Sequence, residues 1–527
     1  MEHQAIELED RPFLVFTDSG ESVSYGEFNE RVDALAMGLR RLGVGLGDRV
    51  CMMLSNRVEF VLTWFATTKL GAVHVPINVH HKGDVLTYVV NDSGAETLVL
   101  ESEYAGRIAA LVPELTRVRR IAMVGDDGGA FAGARNAHGE AVEIVDFASI
   151  AIAGERLENR PAAMPWTPEA IVYTSGTTGP SKGALACHHH RLVIAESWMH
   201  ANEFGRGDTL YAPFPFFHPI GTTLGILPVL LAGGTIVVAP RFSASRYWRE
   251  AGEHGATHGH ILFSLAFILL KQPPSPYDRA HKVRRVHIAS STIADEFEQR
   301  FGARITEVWG GGEAGMFTYT PPGITPPSGS CGLASPRYEV AVFDDNDLEL
   351  PNGQIGEMVA RPKEPWILPL EYLNKPQQSF ESMRNGWFHL GDLGYRDDDG
   401  FFYFADRKKD SMRRRGEMVS SYEVESVINA HPSVLESAAL GIDSGLAKGD
   451  QDILVHIVLA EGAAFDPEAL IKHCDDNMAF FMVPRFLYVR ESMPKTPTDK
   501  IAKYQLRDEL LPNGAWDRES ADIRLTR

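Results

Sequence analysis

Cysteine is scarce in this chain: four residues in 527 (Cys51, Cys187, Cys331 and Cys474), widely spaced and without a C-x-x-C pair. That pattern argues against a disulfide-framed scaffold and a cysteine zinc site, and it predicts a reduced, cytoplasmic setting. Positive charge is in deficit too, with 51 Lys and Arg against 70 Asp and Glu, a formal net charge of −19. A nucleic-acid partner needs a basic face, so that class drops out, and any anionic ligand must be met by a local basic site. Long apolar runs are missing as well. No segment has the length of apolar residues needed to span a membrane, and the acidic stretch Met1 to Asp10 carries no signal-type apolar core. What remains is a soluble enzyme class of ordinary apolar content, too long for one core, so two or more domains are expected.

Periodicity supplies the secondary structure. Phe28, Val32, Leu35, Leu39 and Leu42 recur at helical spacing behind Ser24, predicting a capped helix over Ser24 to Leu42. An apolar run from Arg49 to Leu54, a helical pattern from Glu59 to Leu70 and the run Ala72 to Ile77 read as strand, helix, strand, the unit of a parallel sheet. Val85 to Val90, Thr97 to Leu100 and Arg120 to Val124 continue the alternation, whereas Gly125 to Gly139 has the composition of an exposed loop. Leu224 to Val238 reads as buried helix and strand broken at Gly233-Gly234. Toward the C-terminus, Ser420 to Ala430 (capped by Ser421) and Pro467 to Met478 read as helices, and Ala438 to Ile442 and Ile453 to Leu459 as strands.

The densest chemistry lies in Tyr173 to Ala184. An apolar strand (Ala170, Ile171, Val172) runs into Thr174, Ser175, Gly176, Thr177, Thr178, Gly179, Pro180, Ser181, Lys182 and Gly183. Hydroxyls, inward-turning glycine N–H groups and one fixed positive charge can together wrap a phosphate chain. It is not a Walker A loop, because Gly183 follows Lys182 where a metal-binding Ser or Thr would stand. The plain alternative is a flexible Ser/Gly linker.

This stretch resembles the phosphate-binding motif of the adenylate-forming superfamily: acyl-CoA synthetases, adenylation domains and luciferases. The Pro sits one place early relative to that motif. The resemblance continues in order along nearly the whole chain and is greatest to the crotonobetaine/carnitine-CoA ligase branch. In Tyr211 to Gly221, rich in Pro and aromatics, Phe216, Phe217 and His218 read as a rigid wall facing a ligand, and the resemblance sets His218 beside the acyl carboxylate; core packing of the aromatics is the lesser alternative. It matches Ser290 and Ser291 to an adenine-binding turn. It matches Trp309, Gly310, Gly311, Gly312 and Glu313 to a Tyr-Gly-x-Thr-Glu segment, with Glu313 and Thr178 on magnesium. Asp392 is matched to the residue accepting both ribose hydroxyls, Arg407 to a ribose contact, and Lys409 to the pivot of a C-terminal domain. Gly416 is matched to the loop that in relatives lines the thiol channel, and Lys500 to the lysine on the carboxylate and α-phosphate. Arg413, Arg414 and Arg415 are candidates for the CoA phosphates, or simple surface charge. His188, first of three adjacent histidines, reads as a helix-start residue and not a metal ligand.

The resemblance implies an α/β fold: a large multi-layer N-terminal α/β domain over 1–407 that binds AMP and acyl groups, and a small mobile α+β lid over 408–527. It implies an acyl-CoA ligase using ATP/AMP, CoA and Mg2+ on a carboxylic acid or a pre-made acyl-adenylate. Three departures touch adenylation: Gly312 replaces a Thr hydroxyl, Asp499, where relatives have Gly, sits beside Lys500 and competes for its ammonium, and Pro180-Ser181 alters the phosphate loop. Adenylation is therefore expected to be weak, or supplied by a separate adenylating enzyme, with the thioester step intact. The three glycines from Gly310 to Gly312 suggest a roomy pocket and a bulky, largely apolar acid. A stand-alone enzyme loading a carrier protein, and a degenerate acyl-nucleotide-binding protein, stay open as alternatives, as does a homodimer.

Overall fold

The computed structural model describes residues 1–126, 128–174, 181–261, 263–288, 293–312, 314–408, 410–414, 417–444, 451–478, 480–496, 500–509, 511–521, 523 and 525. The chain forms two compact units, one of Met1–Glu339 with Arg361–Gly386, the other of Val340–Ala360 with Trp387–Arg527.

Two large sheets build the first unit. One runs Glu371–Tyr372, Lys182–Cys187, Pro168–Thr174, Val73–Pro76, Arg49–Met53, Thr97–Glu101, Arg120–Val124 and Glu143–Asp146. Its strands from Pro168–Thr174 to Glu143–Asp146 pair in parallel, joined by crossover helices as the strand–helix–strand pattern predicts. The other sheet has nine strands, with Thr209–Ala212, Thr235–Val238, His258–His260, Arg285–Ile288 and Arg304–Gly311 parallel at its centre. The expected helix forms over Tyr25–Arg41, and the Ser24 hydroxyl accepts from the Glu27 N–H at 3.2 Å, satisfying one of the first-turn donors. Gly125 to Gly139 is largely exposed, as its composition suggests, with Phe131 and Asn136 buried within it. Gly233 closes the helix Leu227–Ala232 at φ +74°, a left-handed conformation that favours glycine.

An ion-paired network lies under the strand Pro168–Thr174. Glu169 Oε2 stands 3.0 Å from Arg191 Nη1, its Oε1 accepts from Trp64 Nε1 at 2.5 Å, and Arg191 Nη1 is 2.9 Å from His74 Nε2. Burial is the largest single influence and pushes the Glu169 carboxyl up, but the Arg191 charge, the neighbouring histidines and the Trp64 N–H together outweigh it and hold the group down at about 2. Burial likewise keeps His74 neutral, at about 3.

A four-stranded sheet (Tyr338–Phe343, Gly356–Pro362, Phe388–Arg396, Phe402–Arg407), its last three strands antiparallel, lies mostly in the second unit, which also holds an α+β layer. In that layer the helices Ser421–Ala430 and Pro467–Asn477 cover Val434–Asp443, Gln451–Leu459 and Phe486–Arg490 through Val424, Ile428, Val455, Ile471 and Leu487. The cap of the first helix is Ser420, one place before the expected Ser421. Ser421 is the first helical residue, and its N–H donates to Asp406 Oδ2 at 2.6 Å.

Candidate functional site

The strands Pro168–Thr174 and Lys182–Cys187 are antiparallel partners, with Thr174 opposite Lys182 and Tyr173 opposite Gly183. The phosphate-type loop is thus the connection of a hairpin, and Lys182 is the first residue of the returning strand. Ser175, Gly176, Thr177 and Thr178 lie outside the described residues, as does the Thr174 side chain. Around the base of the loop, Tyr88 Oη donates to the Ser181 carbonyl at 3.1 Å and Tyr173 Oη to Asp92 Oδ2 at 2.8 Å. Lys182 is half-buried, its Nζ 5.1 Å from the centroid of the Tyr372 ring. Neither Tyr372 nor Asp92 carries a local motif, and only the long-range pairing of Glu371–Tyr372 with the returning strand brings Tyr372 here. His188 is the first residue of the helix His188–Asn202, as expected.

His218 sits in a tight turn. Its N–H donates to the Pro215 carbonyl at 3.1 Å, and its Nδ1 accepts from the Ile220 N–H at 3.2 Å. An accepting Nδ1 places the ring proton on Nε2, so the turn fixes the tautomer. Phe216 is fully buried against Phe60 and Phe16 and belongs to the core; Phe217 is half-buried, edge-on to His80.

The glycines after Trp309 do not open a wall. Arg304–Gly311 and Gly315–Tyr319 form an antiparallel pair with a register shift at Trp309/Gly310. A Cβ at Gly310 would lie 1.9 Å from the Gly315 carbonyl oxygen, and one at Gly312 would lie 2.7 Å from Cβ of Pro219. Close approach, not spare volume, requires glycine at both positions, and Pro219, next to His218, already fills the space at Gly312. Trp309 is buried against Phe317, with ring centroids 5.3 Å apart. His190 Nε2 is 3.2 Å from the Ala314 carbonyl and ties the turn to the helix His188–Asn202. Glu313, Ser290 and Ser291 lie outside the described residues.

In the second unit Asp392 is 2 % exposed, on the strand Phe388–Arg396, paired with Met358 on one side and Arg407 on the other. Three residues earlier on the same strand, His389 Nδ1 lies 3.2 Å from Glu357 Oε1, both side chains buried. The Arg413–Arg415 cluster divides. Arg414 is buried, its Nη1 donating to the carbonyls of Val483 at 2.6 Å and Phe481 at 3.3 Å, with Asp452 3.5 Å from Nη2. That guanidinium is committed to the interior of the unit, which corrects its expected place on a CoA phosphate. Arg413 pairs in backbone register with Met418, and the side chains of Arg407 and Arg413, together with Lys409, Arg415 and Gly416, lie outside the described residues. Lys500 is exposed; its carbonyl accepts from the Thr496 N–H at 2.6 Å and its N–H donates to Thr496 Oγ1 at 3.1 Å. Asp499 is not described.

The family signature of an AMP-binding enzyme spans residues 1–365, and that of the AMP-binding enzyme C-terminal domain spans 423–500. The chain belongs to the AMP-binding enzymes. It is 30 % identical over 511 residues to the crotonobetaine/carnitine–CoA ligases of Salmonella enteritidis PT4 and Salmonella typhi, covering 94 % of this chain and 96 % of each relative. The fold is that of an anthranilate CoA ligase, AuaEII, solved with anthranoyl-AMP (TM-score 0.85, 22 % identity, 99 % of this chain and 97 % of that one). It is also that of ATP-bound MatB from Rhodopseudomonas palustris (TM-score 0.82, 24 % identity, 96 % and 97 %). This AMP-binding enzyme is therefore an adenylate-forming acid–thiol ligase by family, with the large α/β and small C-terminal domains of that fold. Among the described residues no helix is long and apolar enough to cross a membrane.

Proposed function

We propose that the enzyme joins a largely apolar carboxylic acid to CoA through an acyl-adenylate. The observation that carries this reading is the near full-length kinship with CoA ligases, in a chain that keeps a lysine at position 182 and a buried carboxylate at 392. In the first half-reaction a carboxylate oxygen of the acid attacks the α-phosphorus of ATP, and the bond to pyrophosphate breaks. Lys182 and the loop hydroxyls hold the phosphates, Asp392 accepts from the ribose hydroxyls, and Lys500 offsets charge on the α-phosphate. Thr178 and Glu313, a hydroxyl and a carboxylate, are hard oxygen donors of the kind that suits Mg2+, which when bound offsets charge between phosphate oxygens. In the second half-reaction the CoA sulfur attacks the acyl carbonyl and AMP leaves. Segment 408–527 is proposed to alternate about Lys409, exchanging Lys500 for the Gly416 loop.

His218, with its proton on Nε2, is suited to donate to the acyl carboxylate. The apolar character of the acid is supported by Phe217 and Pro219, which flank His218 with carbon rather than charge, and no longer by the glycines. Adenylation is proposed to be the weaker half, since Gly312 supplies no hydroxyl and Asp499 is next to Lys500. ATP–pyrophosphate exchange with the free acid, set against thioester formation from pre-made acyl-adenylate, tests the split; brisk exchange would refute it. A substrate panel tests the acid, and a strong preference for polar acids would count against it.

A further inference from the structure

Lys182 carries the only fixed charge of the phosphate loop, on a chain of four methylenes that must be ordered before it can hold a ligand. The segment after Arg361 returns to the edge of the sheet and grips the strand that starts with this lysine. Glu371 and Tyr372 pair antiparallel with Leu185 and Ala184. Leu370 N–H donates to the Leu185 carbonyl at 2.8 Å and Leu373 N–H to the Gly183 carbonyl at 2.7 Å. Tyr372 N–H donates to Ser379 Oγ at 2.8 Å, and Asn374 Nδ2 to Asp92, the residue that also accepts from Tyr173 Oη. The Tyr372 backbone is therefore held at several points, and its ring is buried. Lys182 and Ala184 share a face of their strand, which makes Tyr372, opposite Ala184, the diagonal neighbour of Lys182, within reach of a long side chain. The ammonium lies 5.1 Å from the ring centroid, where the negative face of the ring attracts a cation.

We propose that Tyr372 is a positioning residue: its ring is a fixed platform that holds the Lys182 ammonium ready for the phosphates of the incoming nucleotide. The inference rests on the reading of Lys182 as a phosphate ligand. It assigns to the strap a part in nucleotide binding that no local sequence pattern announces.

The test is ATP affinity of the full-length enzyme, measured by calorimetry. Tyr372→Leu weakens ATP binding by about two- to thirtyfold, the range of a single cation–ring contact, whereas Tyr372→Phe keeps it within about twofold. In a Lys182→Ala background, Tyr372→Leu causes no further loss. Replacing Tyr372 by phenylalanines of increasing fluorination drains the ring face without altering its packing, and ATP affinity falls in step; this series also serves if Tyr372→Leu does not fold. Equal losses with and without Lys182, or affinity indifferent to fluorination, overturn the proposal. Failure of the functional reading looks different: Lys182→Ala then leaves ATP binding unchanged, and the proposal falls with it.

Discussion

Asp392 and Arg407 stand opposite each other as paired residues of the antiparallel strands Phe388–Arg396 and Phe402–Arg407. Fifteen positions separate them in sequence, and the register of one hairpin brings together the two positions proposed to meet the ribose. Asp392 is the buried member, and a carboxylate accepting two hydroxyl donors out of water makes strong, charge-assisted bonds. Asp392→Asn keeps the shape and removes the charge. It is expected to weaken AMP and ATP binding by about 1.5–3 kcal/mol, seen by calorimetry.

The contact of Gly312 with Pro219 gives a second prediction. Restoring a side chain at 312 does not recover a lost hydroxyl contact, because a Cβ there meets Pro219 Cβ at 2.7 Å. Gly312→Ala is expected to destabilise by about 1–3 kcal/mol through overpacking, and Gly312→Thr to lower activity rather than raise it. Combining Gly312→Ala with Pro219→Gly should recover part of the loss in a denaturant titration, since the two substitutions share one space.

Buried ion pairing gives a third. Arg191→Leu leaves Glu169 charged in an apolar interior and is expected to cost about 3–5 kcal/mol by chemical denaturation. Replacing both Glu169 and Arg191 with apolar residues should cost markedly less than the single substitution, since no orphaned charge remains.

Acid sensitivity follows from buried neutral histidines. Burial lowers His287 and His190 to about 4, and His258 to about 4 as well, from a usual value of 6.5. Folded-state values below the unfolded value mean that the unfolded chain binds protons first as pH falls. Stability is then full above about 6.5 and is lost progressively down to about pH 4, by up to about 1.4 kcal/mol per pH unit for each such group. Glu169 works in a lower window: its value of about 2 against a usual 4.5 gives stability that is present above 4.5 and lost as pH falls toward 2. Thermal unfolding across pH 4–7 should show the first window, and His287→Gln should reduce it by that histidine's share.

Much of this was legible in the sequence, and the reasons are local. The capped helix Tyr25–Arg41, the alternation of Arg49–Met53 and Val73–Pro76 with a helix between them, and the strand entering the phosphate loop all follow from spacing and capping chemistry. The motif order along the chain was enough to reach the family. What was not legible depends on residues distant in sequence. Gly312 reads as open space until Pro219 is seen against it, and Arg414 reads as a CoA-phosphate ligand or a surface cation until the Val483 and Phe481 carbonyls are seen accepting its hydrogen bonds. Tyr372 gives no signal at all until the sheet edge is assembled around it.

The central claim is that an acyl group held as its adenylate is passed to sulfur. Its most direct test is single-turnover mass spectrometry of the purified enzyme with a pre-made acyl-adenylate of an apolar acid and CoA. The account predicts stoichiometric acyl-CoA and AMP; bound adenylate that persists unchanged beside free CoA would contradict it.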